Sequence, residues 1–224
     1  ASTLPREQQR PEAEPEAFFE PPGGPLVMPG TYKVTMAKRV GGVLTPLAGE
    51  QSFDVVVEGL STMAPADRAA LHDFQQKVQR LQRAVTGALE TANSLKTRLG
   101  LIKRAIQETP AADQKLRDDA SALDNRLNLI LRALRGDAAL RARNENVPPS
   151  ISERVNGVVG DQRMSAARPT QTHLDVYKIA AEEFAQELAK LRTLVETDLV
   201  KLEKALEAAG APYTPGRLPD WKDQ

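Results

Sequence analysis

From Pro65 onward, apolar residues recur at alternating steps of three and four. Leu71, Phe74, Val78, Leu81, Val85, Ala88, Ala92, Leu95, Leu99, Ile102 and Ile106 keep this spacing without a break. On a helix they fall on one stripe, the seam of a heptad pattern. The spacing predicts a helix from about 65 to 108, ~65 Å long at ~1.5 Å per residue. Pro65 suits its first turn, and Thr109-Pro110 ends it. Gly87 and Gly100 weaken it by up to ~1 kcal/mol each.

A second seam follows in Leu116, Ala120, Leu123, Leu127, Ile130 and Leu134. Thr109 reads as its N-cap, Pro110 as its first position, and Asp113 lies in its first turn. This helix ends at Gly136-Asp137 or runs on to about Arg143, and Pro148-Pro149 stops it in either case. Ser150-Ile151-Ser152-Glu153 is a capping box. It predicts a short helix carrying Ile151, Val155 and Val158 and ending near Gly160. Thr170 caps the last long helix. Its seam is Leu174, Tyr177, Ala181, Phe184, Leu188, Leu191, Val195, Leu199, Leu202 and Leu206, and Gly210 and Pro212 end it.

Before Pro65 the pattern differs. Residues 1–28 are Pro-rich and polar, which predicts an extended arm whose only strong anchors are Phe18 and Phe19. In Pro29-Gly30-Thr31-Tyr32-Lys33-Val34-Thr35-Met36 the apolar residues alternate with polar ones, the period of a half-buried strand. A loop is expected around Gly41-Gly42, a tight turn, and from Pro46 to Gly49. Phe53-Asp54-Val55-Val56-Val57 reads as a second strand. Two strands alone are marginal in water. The hairpin therefore packs on the helices or belongs to a larger sheet. Pro-Gly-Thr-Tyr before a strand resembles the closing strands of an immunoglobulin-like sandwich, with Tyr32 in the corner position. After Gly210 the tail, residues 211–224, is too Pro-rich for a helix, and Tyr213 and Trp221 are expected to fold back on the bundle end.

The fold class expected is mainly α. It is an up-down-up bundle of three long helices plus one short helix over residues 61–210. A β-hairpin over 29–60 and the arm over 1–28 precede it. Short connections make consecutive long helices antiparallel, and the short helix fills the gap that the shorter second one leaves. Residues 67–108 carry eight Lys/Arg against four Asp/Glu, and residues 170–209 carry five against eight. These opposite signs favour contact between the first and last long helices.

Composition narrows the chemistry. The 224 residues carry 30 Lys/Arg and 30 Asp/Glu, so no general attraction to nucleic acid or an anionic membrane is expected, and local charge has to be weighed instead. The absence of Cys removes disulfides and thiolate chemistry. No apolar run reaches the ~20 residues of a membrane span. His72 and His173 lie near the starts of two long helices, with Asp67, Asp73 and Asp175 nearby, but no metal-binding helix motif is present. His72 is one step off the seam and is expected to face solvent. Ser121, Ser150 and Ser152 have no nearby histidine, and capping accounts for Ser150. Glu182-Glu183 falls on a solvated face. The basic face Lys77, Arg80, Arg83, Lys96, Arg98, Lys103 and Arg104 has no interleaved aromatics, so nucleic acid is not expected as a partner. No catalytic, cofactor-binding or metal residue is assigned. A helix seam also permits a homo-oligomer.

The order of these features resembles a family. Pro-Gly-Thr-Tyr-Lys-Val, Phe-Asp-Val-Val-Val, a long helical stretch, Pro-Pro-Ser-Ile-Ser-Glu-Arg-Val, Arg-Pro-Thr-Gln-Thr and Gly-Ala-Pro-Tyr-Thr-Pro-Gly-Arg-Leu-Pro-Asp-Trp follow one another. This is similar to the C-terminal region of exported bacterial proteins with sortilin-like, BNR-repeat β-propellers, often labelled glycosyl hydrolases. The resemblance implies an upstream propeller as partner, an extracytoplasmic location and no enzymatic role for this segment. The function expected is a non-catalytic C-terminal structural or interaction module. The alternative is an accessory part of a glycosyl-hydrolase-like enzyme whose catalytic propeller lies outside this chain.

Overall fold

A computed structural model describes residues 24–47, 49–57, 59, 63–163 and 167–217. Phe18, Phe19 and Trp221, and most of the expected arm, lie outside these residues.

The predicted helices are present. α1 spans Pro65–Gln107, with Pro65 in its first turn and Asp67 facing the positive end of its dipole. α2 spans Gln114–Arg135. α3 (Ala138–Ala142) is a single added turn. α4 spans Ile151–Arg163, and α5 spans Gln171–Thr193. A π turn at Leu194–Asp198 carries the last rod on into α6, Leu199–Ala208. Gly210, at φ 66°, ends it as only glycine does comfortably, and the Ala211 amide returns to the Leu206 carbonyl at 3.0 Å.

The main core fills the part of the bundle where α1 and α2 overlap. Val85, Ala88, Ala92, Leu95, Leu99, Ile102 and Ile106 of α1 meet Leu116, Ala120, Leu123, Leu127, Ile130, Leu131 and Leu134 of α2. Phe184, Leu191, Leu194, Leu199, Leu202 and Leu206 of the last rod close it. α4 packs against both α1 and α5. Near the start of α1 it builds a smaller cluster of Phe74, Val78 and Val158 with Val176 and Tyr177 around it. It thus fills the space beyond the shorter α2, as expected. The Phe74 and Tyr177 rings meet edge-to-face at 5.7 Å.

Three helical details differ from expectation. Asp113, not Thr109, caps α2, accepting from the Leu116 amide at 2.8 Å. The buried Thr109 hydroxyl instead donates back to the Ala105 carbonyl at 2.7 Å, so it finishes α1 and is not free to start α2. Leu174 stands 40% exposed, because the start of α5 packs through Val176 and Tyr177. Farther along, Ala180 and Leu194 are fully buried, whereas Ala181 and Val195 are only partly so. The π turn supplies one extra residue per turn, which lets Leu194 and Leu199, five apart, share one stripe.

Ion pairs link the rods partly by the expected route and partly through α2. Arg98 and Glu203 form one ion pair between α1 and α6. The other cross-helix pairs of the long rods run through α2. Asp124 takes Lys96 at 2.5 Å and Lys103 at 3.0 Å, and Arg126 takes Asp198 at 2.7 Å.

The β region is longer than two strands. β1 (Gly30–Val34) pairs with β4 (Gln51–Val55), and β2 (Ala37–Val40) pairs with β3 (Val43–Pro46), all antiparallel. The expected loop is therefore ribbon. Gly41 and Gly42, at φ 55° and 84°, make the two-residue turn whose twist matches its strands, so pairing continues outward from it. Residues 56 and 57 lie past the last pairing. The segment entering β1 touches α1, where His72 Nδ1 lies 3.1 Å from the Leu26 carbonyl.

Leu99→Ala leaves a hole in a fully buried site, and roughly 2–5 kcal/mol of unfolding free energy is expected to be lost, read by urea denaturation. Leu129→Ala, at a position 62% exposed, should stay within about 0.5 kcal/mol of the parent in the same assay.

Candidate functional site

Among the described residues, polar side chains gather at four places, and each has structural work. At the start of α4 the capping box forms as expected. The Ser150 amide and hydroxyl donate to Glu153 Oε2 at 2.8 and 2.7 Å, and the Glu153 amide donates to Ser150 Oγ at 3.3 Å. Arg141 of α3 adds an ion pair to Glu153 at 2.9 Å. The Ser150 amide and hydroxyl, with the Arg141 charge, hold the Glu153 carboxyl below its ordinary 4.5. A groove of about 210 Å³ beside this cap includes Gln82, Arg135, Ser152 and Asn156. Gln82 donates to Asn156 at 3.0 Å. A second, wider groove of about 390 Å³ lies between the end of α2, the 147–149 loop and α5. Its Asp137 caps α3, and its Glu183 and Glu187 pair with Arg154 and Lys190.

The two histidines lie at the starts of α1 and α5. His173 Nδ1 accepts from the Thr170 amide at 3.3 Å and lies 2.8 Å from Gln162 Nε2. The Thr170 hydroxyl accepts from the His173 amide at 3.3 Å, so imidazole replaces the usual carboxylate of a capping box. Because Nδ1 accepts, the ring proton sits on Nε2, which faces Asp161 at 3.6 Å. His72 is half-buried rather than solvent-facing, held by the Leu26 carbonyl and by Gln76 at 2.7 Å. Asp67 pairs with Arg168 at 4.0 Å, and Asp175 accepts from Gln171 at 2.8 Å. Among the described residues no three metal-ligating side chains converge.

Two further clusters have no motif in the sequence. Burial raises the Asp124 carboxyl, but hydrogen bonds and charge from Lys96 and Lys103 outweigh it and hold the group below its ordinary 3.8. At the tail, Glu207 accepts from the Tyr213 hydroxyl at 2.7 Å and from Arg217 at 2.5 Å, which lowers its carboxyl from the ordinary 4.5. The Arg217 guanidinium lies 4.6 Å over the Tyr213 ring, and Arg98 donates to the Gly216 carbonyl at 2.8 Å. Tyr213 thus folds back on the bundle end as expected. Trp221 lies outside the described residues. The hook joins Glu207 of α6 to Tyr213 and Arg217 of the non-helical tail, so no periodicity announces it.

The remaining surface with a distinct character is the β-ribbon. Tyr32 and Val34 of β1 share one face with Phe53 and Val55 of β4, while Thr31, Lys33, Ser52 and Asp54 occupy the other. Val34 and Phe53 are about half exposed, and Tyr32 and Phe53 stack at 6.0 Å. The Tyr32 hydroxyl donates to the Met28 carbonyl at 2.6 Å, four residues upstream. Set against protein-family models, curated proteins and solved structures, the chain gives no match.

Asp124, Glu153 and Glu207 all have lowered folded-state values, so each stabilises the fold fully above the ordinary carboxylate range, and that stability is lost as the pH falls through the lowered value. The urea midpoint is expected to hold down to about pH 5 and to fall below it. Asp124→Asn should lower the midpoint at pH 7 and shrink the drop between pH 7 and pH 3. An undiminished drop in that variant would assign the acid sensitivity elsewhere. Ser150→Ala removes a cap and should cost about 0.5–2 kcal/mol by urea denaturation.

Proposed function

We propose that this chain is a non-catalytic structural and interaction module, the C-terminal part of a larger exported bacterial protein with an upstream β-propeller. The observation that carries the reading is where the polar side chains are spent. Glu153, Asp113, Asp137, Thr170 and His173 serve helix starts. Asp124, Glu203, Asp198 and Glu207 tie rods or tail together. Groups so engaged are not poised to transfer a proton or attack a substrate. The bundle is a stiff spacer, and the ribbon is the part with apolar surface to offer.

In this reading the β1–β4 half of the ribbon is the closing pair of an immunoglobulin-like sandwich. Two features support it. The one-sided apolar face suits packing on a second sheet. The Tyr32-to-Met28 hydrogen bond has the pattern of a tyrosine corner, in which a hydroxyl reaches back to upstream backbone. The bundle then braces the domains before it.

The test compares the longer parent polypeptide with and without residues 61–224. Unchanged ligand binding or turnover per folded molecule, with a lower melting temperature or lost assembly, is the expected result. Lost turnover at unchanged folding would instead make the segment part of a hydrolase.

A further inference from the structure

The distal half of the ribbon differs from its base. The register puts Val40 and Val43 on one face with Lys38 and Thr45, and Leu44 on the other with Ala37, Arg39 and Pro46. Met36 and Leu47 lie at the bend, where the Leu47 amide donates to the Met36 carbonyl at 2.9 Å. Exposure is 61% at Met36, 69% at Val40, 67% at Val43, 58% at Leu44 and 54% at Leu47. These apolar side chains point to both sides. A sheet or a helix laid on the tip covers one side only. A medium that surrounds the tip covers both.

Charge narrows that medium. From Pro21 to Gly49 there is no Asp or Glu, and the same stretch holds Lys33, Lys38 and Arg39. Lys33 pairs with Glu50 at 2.6 Å. Among the described residues, Lys38 and Arg39 make no ion pair. We propose that this tip docks on an anionic lipid bilayer surface, with Val40 and Val43 at the headgroup–acyl boundary and, one pair behind them, Leu44 beside Arg39, which reaches the headgroups with Lys38.

The dimensions agree. Arg39 and Lys38 stand two and three residues behind Gly41, about 7–10 Å along a strand. Interfacial segments bury their apolar face to about 5–10 Å. The ribbon has two open edges whose amides and carbonyls need partners, and headgroups and water supply them at that depth, whereas the hydrocarbon core does not. The chain's zero formal charge is no obstacle, because the attraction acts within about one Debye length, ~8–10 Å, of the lipid.

The experiment floats the full chain with vesicles of phosphatidylcholine alone and of phosphatidylcholine with ~30% phosphatidylglycerol. Binding is expected on the anionic vesicles, and it should be at least about tenfold weaker on the neutral ones. Lys38→Glu with Arg39→Glu should weaken it by at least about tenfold. Val40→Asn with Leu44→Asn keeps both cations and should also weaken it, with unchanged helical circular dichroism. Three results would overturn the proposal. One is equal or no binding to both vesicles. A second is full binding by the Lys38/Arg39 variant, which would assign contact to other cations such as Lys77, Arg80 and Arg83 of α1. The third is a dimer in light scattering, dissolved by the Val40/Leu44 variant, with no vesicle binding, which would assign the tip to a second copy. Failure here leaves the bracing role standing, because that role needs no lipid.

Discussion

The structure depends on the uninterrupted apolar stripe of α1. Eleven residues of this helix are buried, from Leu71 to Ile106. A single helix with such a stripe cannot stand in water, since each large side chain left exposed forfeits roughly 1.5–3 kcal/mol of burial. α2 covers its C-terminal half, and α4 with the start of α5 covers the rest. The last rod then closes the side that α1 and α2 leave open. The short helix is a consequence of this arithmetic of lengths, because α2 has 22 residues against 43 in α1.

Polar groups are placed to make that packing unique. Apolar stripes alone tolerate sliding by a turn. Asp124 resists sliding of α2 on α1 because it holds two lysines seven residues apart, Lys96 and Lys103. Arg126 with Asp198 fixes α2 against the π turn, and Arg98 with Glu203 fixes α1 against α6. Each pair contributes little energy at a surface, but together they select one register. The tail hook through Glu207, Tyr213 and Arg217 then seals the bundle end.

The ribbon follows other rules. Its strands bury little, and its order comes from the Gly41-Gly42 turn, the cross-strand pairing and the Tyr32–Phe53 stack. Cross-strand aromatic pairs add about 0.2–1 kcal/mol each, too little to hold an extended ribbon firmly alone. A bundle that satisfies itself beside a ribbon that does not is the contrast from which the functional reading arises.

Much of this was legible in the residues. The seams located the first and last long helices within a residue or two, because a stripe at helical spacing has few other ways to leave water, whereas the second starts at Gln114, four residues after the expected Pro110. Ser150-x-x-Glu153 and Thr170 marked helix starts, because caps are local chemistry. Local pattern did not decide between Thr109 and Asp113 as the cap of α2. The Thr109 hydroxyl was already engaged by the preceding helix, which only the path of the chain shows. Nor did it show that Leu194 rather than Val195 is buried, because a π turn is chosen by what the facing helix needs. Residues 37–40 and 43–46, between the two expected strands, paired once the Gly41-Gly42 turn brought them side by side. The Asp124 cluster and the Glu207 hook join residues that nothing in their spacing relates. Periodicity and capping thus determined which segments became helices, since those forces act within a few residues. Tertiary structure decided register, ion pairing and the exposed ribbon, since those depend on which surfaces meet across the fold.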